Sequence, residues 1–125
     1  MGHVVIAGTV QVGRRQGRRI GFPTINLRVP RTVEKDDWGI YFSLVAVDDR
    51  ILAGVTHLGP AKTFGLRAAS CETYVLRRNL RELAGEKVRV RLLFKFRSIE
   101  HFTTVQALRR QIRRDVQAAM KFFHL

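Results

Sequence analysis

Along most of the chain apolar residues recur with the two-residue period of a half-buried strand, and near Thr103 the period changes to that of a helix. Val4, Ile6, Thr9 and Val10 to Val12 predict a first strand, rich in β-branched residues and stopped by Gly13. A glycine- and arginine-rich stretch follows, after which Thr24 to Val29 predicts a short strand ended by Pro30. Pro30 to Trp38 holds Glu34, Lys35, Asp36 and Asp37 and reads as a surface loop. Gly39 to Val47 alternates, Asp48-Asp49-Arg50 makes a tight connection, and Ile51 to Leu58 returns, which predicts a β-hairpin. Gly59 to Ala69 contains Gly59, Pro60 and Gly65 and predicts a loop, while Cys71 to Leu76 and Lys87 to Phe96 predict two more strands. In the last of these Val88, Val90, Leu92, Phe94 and Phe96 share one parity. Lys87, Arg89, Arg91, Lys95 and Arg97 share the other, interrupted by Leu93, so one face should be buried and the other wet and basic.

Thr103, with Gln106 three residues later, makes a capping box that opens the helix. Val105, Leu108, Ile112, Val116 and Ala119 then form one apolar stripe, with Arg109, Arg110, Arg113, Arg114 and Gln117 turned away from it. Short strands joined by glycine-rich turns point to an all-β barrel or sandwich carrying one helix, since closure removes the exposed edges of a small sheet. The stripe is the surface by which the helix packs on it.

A length of 125 residues fits a single domain, 1–125, and leaves no room for a second catalytic module. No repeat or low-complexity linker divides it. A hydrophobic share of 46% with 26% charged residues is that of a globular chain. No run approaches the roughly 18 apolar residues of a membrane helix, and the N-terminus lacks the features of a secretory signal, so no membrane partner and a cytoplasmic address are expected. The lone Cys71 cannot form an internal disulfide, and His3, His57, His101 and His124 are too far apart to suggest zinc spacing. The net charge of +13 predicts salt-sensitive, non-specific polyanion binding and steering of a nucleotide. Its arginines are spread along the chain with no helix-turn-helix, zinc-finger or RNP-type pattern, so specific nucleic-acid recognition is the lesser alternative.

The densest chemistry lies between Gly8 and Asn26. Gly8, Gly13, Gly17 and Gly21 let backbone approach an anion, and Arg14, Arg15, Arg18 and Arg19 can neutralise it. Thr24 and Asn26, two residues apart on an extended segment, offer neutral oxygens on one side to a hard cation. Glycines at such spacing also occur in plain surface loops; the Phe22-Pro23-Thr24-Ile25-Asn26 tail fixed behind them is what makes the pattern specific.

The ordered pattern G-x-V-x-x-G-x-x-x-G-R-x-I-G-F-P-T-x-N is filled by Gly8, Val10, Gly13, Gly17, Arg18, Ile20, Gly21, Phe22, Pro23, Thr24 and Asn26. It resembles the opening signature of the riboflavin kinase (flavokinase) family. Later segments match in order: Ala53-Gly54-Val55, Leu58-Gly59, Thr63-Phe64, the strand starting at Glu72, Gly85, and Phe96-Arg97 with Phe102 before the helix. The resemblance implies a small barrel of six antiparallel strands packed by a C-terminal α-helix. It also implies transfer of the γ-phosphoryl group of ATP to the ribityl 5′-hydroxyl of riboflavin, giving FMN and ADP.

Under that resemblance Gly13, Gly17, Arg18, Arg19, Gly21, Phe22, Pro23 and Thr24 hold the nucleotide, and Thr24 and Asn26 position Mg2+ or another divalent cation. Glu72, which as an isolated carboxylate in a basic chain would read as a surface salt bridge, becomes the catalytic base. Arg97, Phe102 and Leu108 contribute to the flavin slot. Asp115 also matches a family position, although a helix-face ion pair with an arginine is the more economical account. Several segments depart from the pattern. His57-Leu58-Gly59 stands for the usual Asn-Ile-Gly, Lys62-Thr63-Phe64 for Pro-Thr-Phe, and Tyr74, Arg77-Arg78 and Ala84-Gly85 replace the usual residues after the Glu. These changes leave a flavin- or nucleotide-binding module without turnover as the alternative. Bacterial relatives of this family commonly carry an adenylyltransferase domain, so FAD synthesis would fall to a separate or fused activity.

Overall fold

The structure is a computed structural model and describes residues 4–11, 21–77 and 83–125. Its strands are β1 (Val5–Thr9), β2 (Ile25–Leu27), β3 (Gly39–Val47), β4 (Arg50–Pro60), β5 (Ala69–Val75) and β6 (Lys87–Arg97), followed by α1 (Val105–Phe122). All pairings are antiparallel, and the six-stranded sheet runs β1-β6-β3-β4-β5-β2. The first and last strands of that order meet where the Gln11 N–H donates to the Asn26 carbonyl at 2.9 Å. That bridge brings the sheet close to a closed barrel. Among the described residues no helix is long and apolar enough to cross a membrane.

Alternation builds the interior. Ile6, Val45, Leu58, Val75 and Val90 are almost wholly buried and pack together with Ile25, Leu27 and Leu92 inside the barrel. Three hydroxyls also lie there, Ser43, Thr56 and Thr73, linked in a chain with 2.7 Å between successive oxygens. Each accepts or donates to its neighbour, so none is left as an unpaired buried polar group. A second apolar cluster, of Ile40, Phe42, Val55, Leu76 and Ala119, sits on the outer face beneath α1, with Val116 and Phe123 packed against it.

Several expected boundaries shift. β1 ends at Thr9, beyond which Val10 hydrogen-bonds to Gly85 and Glu86 and Gln11 bridges to Asn26; Val12 and Gly13 lie outside the described residues. The loop from Pro30 contains a 3-10 turn over Lys35–Asp37, closed by the Glu34 N–H donating to Asp37 Oδ2 at 2.9 Å. β4 continues through Gly59 and Pro60, and β5 begins at Ala69, so the expected loop shrinks and holds a short 3-10 turn at Lys62–Phe64. Gly59 sits at φ 134, and a Cβ there would run into Ile99 and Trp38, so glycine is required where β4 passes under the loop before α1.

The parity of β6 also breaks. Leu92 faces Ser43 and Phe94 faces Phe42, leaving Leu93 unpaired between them; a second shift leaves Phe96 between Lys95, opposite Tyr41, and Arg97, opposite Ile40. Such bulges turn a strand's later side chains to the other face. Phe94 and Phe96 are therefore 49% and 36% exposed rather than buried, and they lean on Phe42 from outside, with the Phe96 ring 4.7 Å away.

The helix cap moves by one residue as well. Thr104, not Thr103, is the N-cap, its hydroxyl accepting from the Ala107 N–H at 3.1 Å. The stripe Leu108, Ile112, Val116 and Ala119 packs inward, but Val105 is 41% exposed. Arg109 is half-buried instead of turned away, and its Nε has no hydrogen-bond partner.

Candidate active site

Register sets the site. Asn26 on β2 lies opposite Glu72 on β5, Glu72 opposite His57 on β4, His57 opposite Ile40 on β3, and Ile40 opposite Arg97 on β6. Directly opposed residues of antiparallel strands share a face. A single row across five strands thus carries a candidate metal ligand, the candidate base, a histidine and an arginine on the outside of the barrel. The helix and two loops cover this row and make a cleft of about 840 Å3, counted out to its open mouth. Phe22, Thr24, Glu72 and Tyr74 line one end, Arg97, Phe102 and Leu108 the other. The loops are tied together by the Phe102 N–H, which donates to the Thr63 hydroxyl at 3.0 Å.

Glu72 is held by two hydroxyls. Thr24 Oγ1 donates to Oε1 at 3.1 Å, and Ser70 Oγ lies 3.0 Å from Oε2 and 3.3 Å from the Gly59 carbonyl. The period of β5 puts Ser70 and Glu72 on one face, two residues apart. The Asn26 amide donates to the Thr24 carbonyl at 3.4 Å, leaving its own Oδ1 uncommitted among the described residues. Next along the row, His57 Nε2 stands 3.0 Å from the Gly59 carbonyl and 3.2 Å from that of Pro60. Burial pushes the His57 pKa below its usual value and the Arg97 charge adds to this, while Glu72 and the two carbonyl contacts oppose it. Behind Glu72, the Cys71 thiol is buried in the barrel and its pKa is pushed up to about 12, chiefly by burial and further by the Glu72 charge.

At the far end Arg97 is committed to Asp115 through two parallel bonds, Nε to Oδ1 at 2.9 Å and Nη2 to Oδ2 at 2.7 Å. Asp115 is 2% exposed and also accepts from Gln111 Nε2 at 3.0 Å. The expected ion pair exists, but its arginine belongs to β6 rather than to the helix face. Arg97 thereby pins α1 over the cleft with its guanidinium already engaged, the bidentate geometry arginine favours.

Of the predicted residues, the structure gathers Phe22, Thr24, Glu72, Arg97, Phe102 and Leu108 around one cleft. Asn26 joins them through the row, and Pro23 lies between Phe22 and Thr24 in the same segment. Phe22 meets Tyr74 edge-on at 5.5 Å, and Gly21 adopts φ 89 just before it. Gly13, Gly17, Arg18 and Arg19 lie outside the described residues. Ser70, Tyr74 and Thr63 were not singled out as contacts by sequence, although the two-residue spacing from Glu72 marks Ser70 and Tyr74 as its face-mates.

The donor set fits a hard cation. A hydroxyl at Thr24, the Asn26 amide oxygen and the Glu72 carboxylate are all oxygen ligands, the kind Mg2+ takes alongside water and phosphate oxygens. Thr24 can donate its proton to Glu72 and still offer an oxygen lone pair.

A flavokinase (riboflavin kinase) family profile matches residues 2–123. Among curated relatives, the RNA-binding riboflavin kinase RibR of Bacillus subtilis is 33% identical over 121 residues, covering 97% of this chain and 52% of that protein. A bifunctional riboflavin kinase/FMN adenylyltransferase of Escherichia coli K12 is 32% identical over 127 residues, covering 100% of this chain and 40% of that protein. The chain therefore spans about half the length of the first relative and less of the second. Among solved structures, a Streptococcus pneumoniae protein described as a macrolide-efflux protein aligns with TM-score 0.78 and 26% identity, over 94% of this chain and 38% of that one. Riboflavin kinase from Trypanosoma brucei aligns with TM-score 0.68 and 21% identity, over 99% of this chain and 82% of that one, and so shares the fold.

Proposed function

Because the chain belongs to the riboflavin kinase family, we propose that it transfers the γ-phosphoryl group of ATP to the ribityl 5′-hydroxyl of riboflavin, yielding FMN and ADP. The observation that carries this is the contact between Thr24 and Glu72, 48 residues apart in sequence and joined at 3.1 Å in the lining of an apolar cleft. In this reading the 5′-oxygen bonds to the γ-phosphorus as the bond to the β,γ-bridging oxygen breaks. ADP leaves with that electron pair, and the hydroxyl proton passes to Glu72. Thr24 and Ser70 hold the carboxylate in place for that proton. The Gly13 to Thr24 segment binds the phosphates. Thr24 and Asn26 hold Mg2+, which neutralises charge on the phosphate oxygens when bound. The flat isoalloxazine ring enters between Tyr74, Phe102 and Leu108, and the pinned helix excludes water from it. The chain acts as one kinase domain in the cytoplasm, with FAD synthesis left to a separate or fused activity.

Incubation with riboflavin, ATP and magnesium, followed by separation of FMN, tests this directly. Glu72→Ala should abolish turnover and Asn26→Ala should weaken it by about a hundredfold or more. Undiminished turnover in both would defeat the residue assignment, and tight flavin or ADP binding without transfer would make the chain a binding module.

A second reading rests on the outer face of β6, where Lys87, Arg89 and Arg91 stand exposed in one row on a chain of net charge +13. This row binds polyanions non-specifically. Retention of an RNA oligonucleotide should fall steeply with salt, and more shallowly in an Arg89→Glu, Arg91→Glu variant; equal salt slopes would discard the row.

A further inference from the structure

His57 occupies the centre of the site row, where the family pattern has asparagine, and the riboflavin kinase reading leaves it without a task. Its ring chemistry is constrained. Nε2 is within hydrogen-bond distance of two main-chain carbonyls and, among the described residues, of no other acceptor or donor. Carbonyls only accept, so the ring proton must sit on Nε2. In the neutral ring Nδ1 is then a bare lone pair, with no protein hydrogen bond among the described residues. Nor is it one of the buried polar atoms left unpaired, a condition met only by Arg109 Nε among the described residues. The ring lines the cleft, so Nδ1 is open to it.

The neighbours make this lone pair selective. Glu72 is the cross-strand partner of His57, and opposed side chains on one face stand about 4.5–5.5 Å apart at Cβ. Two acceptors of different kinds, a carboxylate and an imidazole nitrogen, therefore stand side by side. Around them Val55, Ile40 and Ile99 offer no donor to either. Glu72 already accepts from Thr24 and Ser70, so an incoming molecule whose single hydroxyl goes to Glu72 leaves the His57 Nδ1 unmet. A chain bearing several hydroxyls satisfies both, and an unmet buried acceptor carries a penalty that a matched one avoids.

We propose that His57 is a specificity-determining residue whose Nδ1 accepts a hydrogen bond from a second hydroxyl of the polyol acceptor, while Glu72 takes the one to be phosphorylated. The assignment deepens the riboflavin reading and rests on it for the identity of the polyol. The Gly59 and Pro60 carbonyls fix the ring, and Ser70, whose single O–H lies within reach of both Glu72 Oε2 at 3.0 Å and the Gly59 carbonyl at 3.3 Å, stands between the two acceptors.

Two substitutions separate the two ring nitrogens. His57→Gln places an amide N–H near Nε2 and keeps the anchor without the Nδ1 acceptor. His57→Asn places an amide oxygen near Nδ1 and gives up the anchor. Fluorescence titration with riboflavin and with lumiflavin, which has the same ring and no hydroxyls, reads the effect. The wild type should prefer riboflavin. His57→Gln should lose about tenfold of that preference, the size of one neutral hydrogen bond, with lumiflavin affinity unchanged. His57→Asn should keep most of the preference. Nitrogen-15 NMR of the wild type should show the Nε2–H tautomer, with the Nδ1 signal moving on riboflavin but not on lumiflavin. An Nδ1–H tautomer, a wild type indifferent between the two flavins, or an unchanged preference in His57→Gln would overturn the proposal. These are binding and spectroscopic readouts, so failure of phosphoryl transfer alone would sink the kinase reading and leave this one standing.

Discussion

At the scale of single residues, two hydroxyls restrain Glu72 among the described residues. Ser70 supplies one of its two hydroxyl contacts, at 3.0 Å. Ser70→Ala should lower kcat about tenfold while leaving the KM for ATP nearly unchanged, because a hydrogen bond to a charged group is worth about 1.5–3 kcal/mol and this one reaches the proposed base and none of the proposed nucleotide ligands. His57 has a separate consequence for stability. Its folded pKa is lowered by burial and by Arg97 against the opposing pull of Glu72. The unfolded chain therefore takes up a proton near the ordinary value of about 6.5, while the folded protein resists it. Stability should be flat with respect to this group above that pH and fall as pH drops below it, by at most about 1.4 kcal/mol per pH unit until the folded group titrates. Urea melts at pH 7.5 and 5.5 should show a larger loss in the wild type than in His57→Gln; parallel losses would mean that another group is responsible.

Among the elements, the Arg97–Asp115 pair is the joint between β6 and α1. Asp115 is 2% exposed and the arginine side chain 15%, so Asp115→Asn leaves a guanidinium nearly buried with half its partner gone. The expected cost is about 3–5 kcal/mol, read as a fall in the denaturation midpoint, and flavin affinity should fall with it as α1 loosens over the cleft. This joint also shows what the sequence could convey. Boundaries written in local alternation were legible: β3 runs from Gly39 to Val47 as the pattern predicts. The parity of β6 fails at Phe94 because a bulge is a property of two strands, and Leu93 can be seen as unpaired only once β3 lies beside it. Adjacent threonines at 103 and 104 are both acceptable caps, and the choice falls to how the chain enters from the loop. Thr24, Asn26 and Glu72 were legible because a motif carries them. The row that aligns them with His57, Ile40 and Arg97 was not, since cross-strand register spans residues far apart in the chain and no local spacing encodes it.

At the scale of the whole molecule, one sheet serves two purposes: its inner face is a dry core crossed by a thread of hydroxyls, and its outer face carries the cleft. The division explains why Cys71 and Glu72, adjacent in sequence, differ so completely. One thiol is sealed in the barrel with its pKa pushed up to about 12, and the next side chain lines the cleft. Among the described residues, the first and last strands of the sheet are joined by the bridge from Gln11 to the Asn26 carbonyl. The same Asn26 whose backbone makes that bridge is, in the proposed function, the residue whose side chain would hold the nucleotide's cation. Ligand and latch then draw on one residue, so whatever grips Asn26 from outside also restrains the seam. Magnesium with a non-hydrolysable ATP analogue should slow hydrogen exchange at the Gln11 amide well beyond any slowing at Val90 in the sealed core. If exchange at Gln11 is indifferent to the nucleotide, the two roles of Asn26 are independent. If it slows, the barrel is a cylinder whose last stave is set by the molecule it binds.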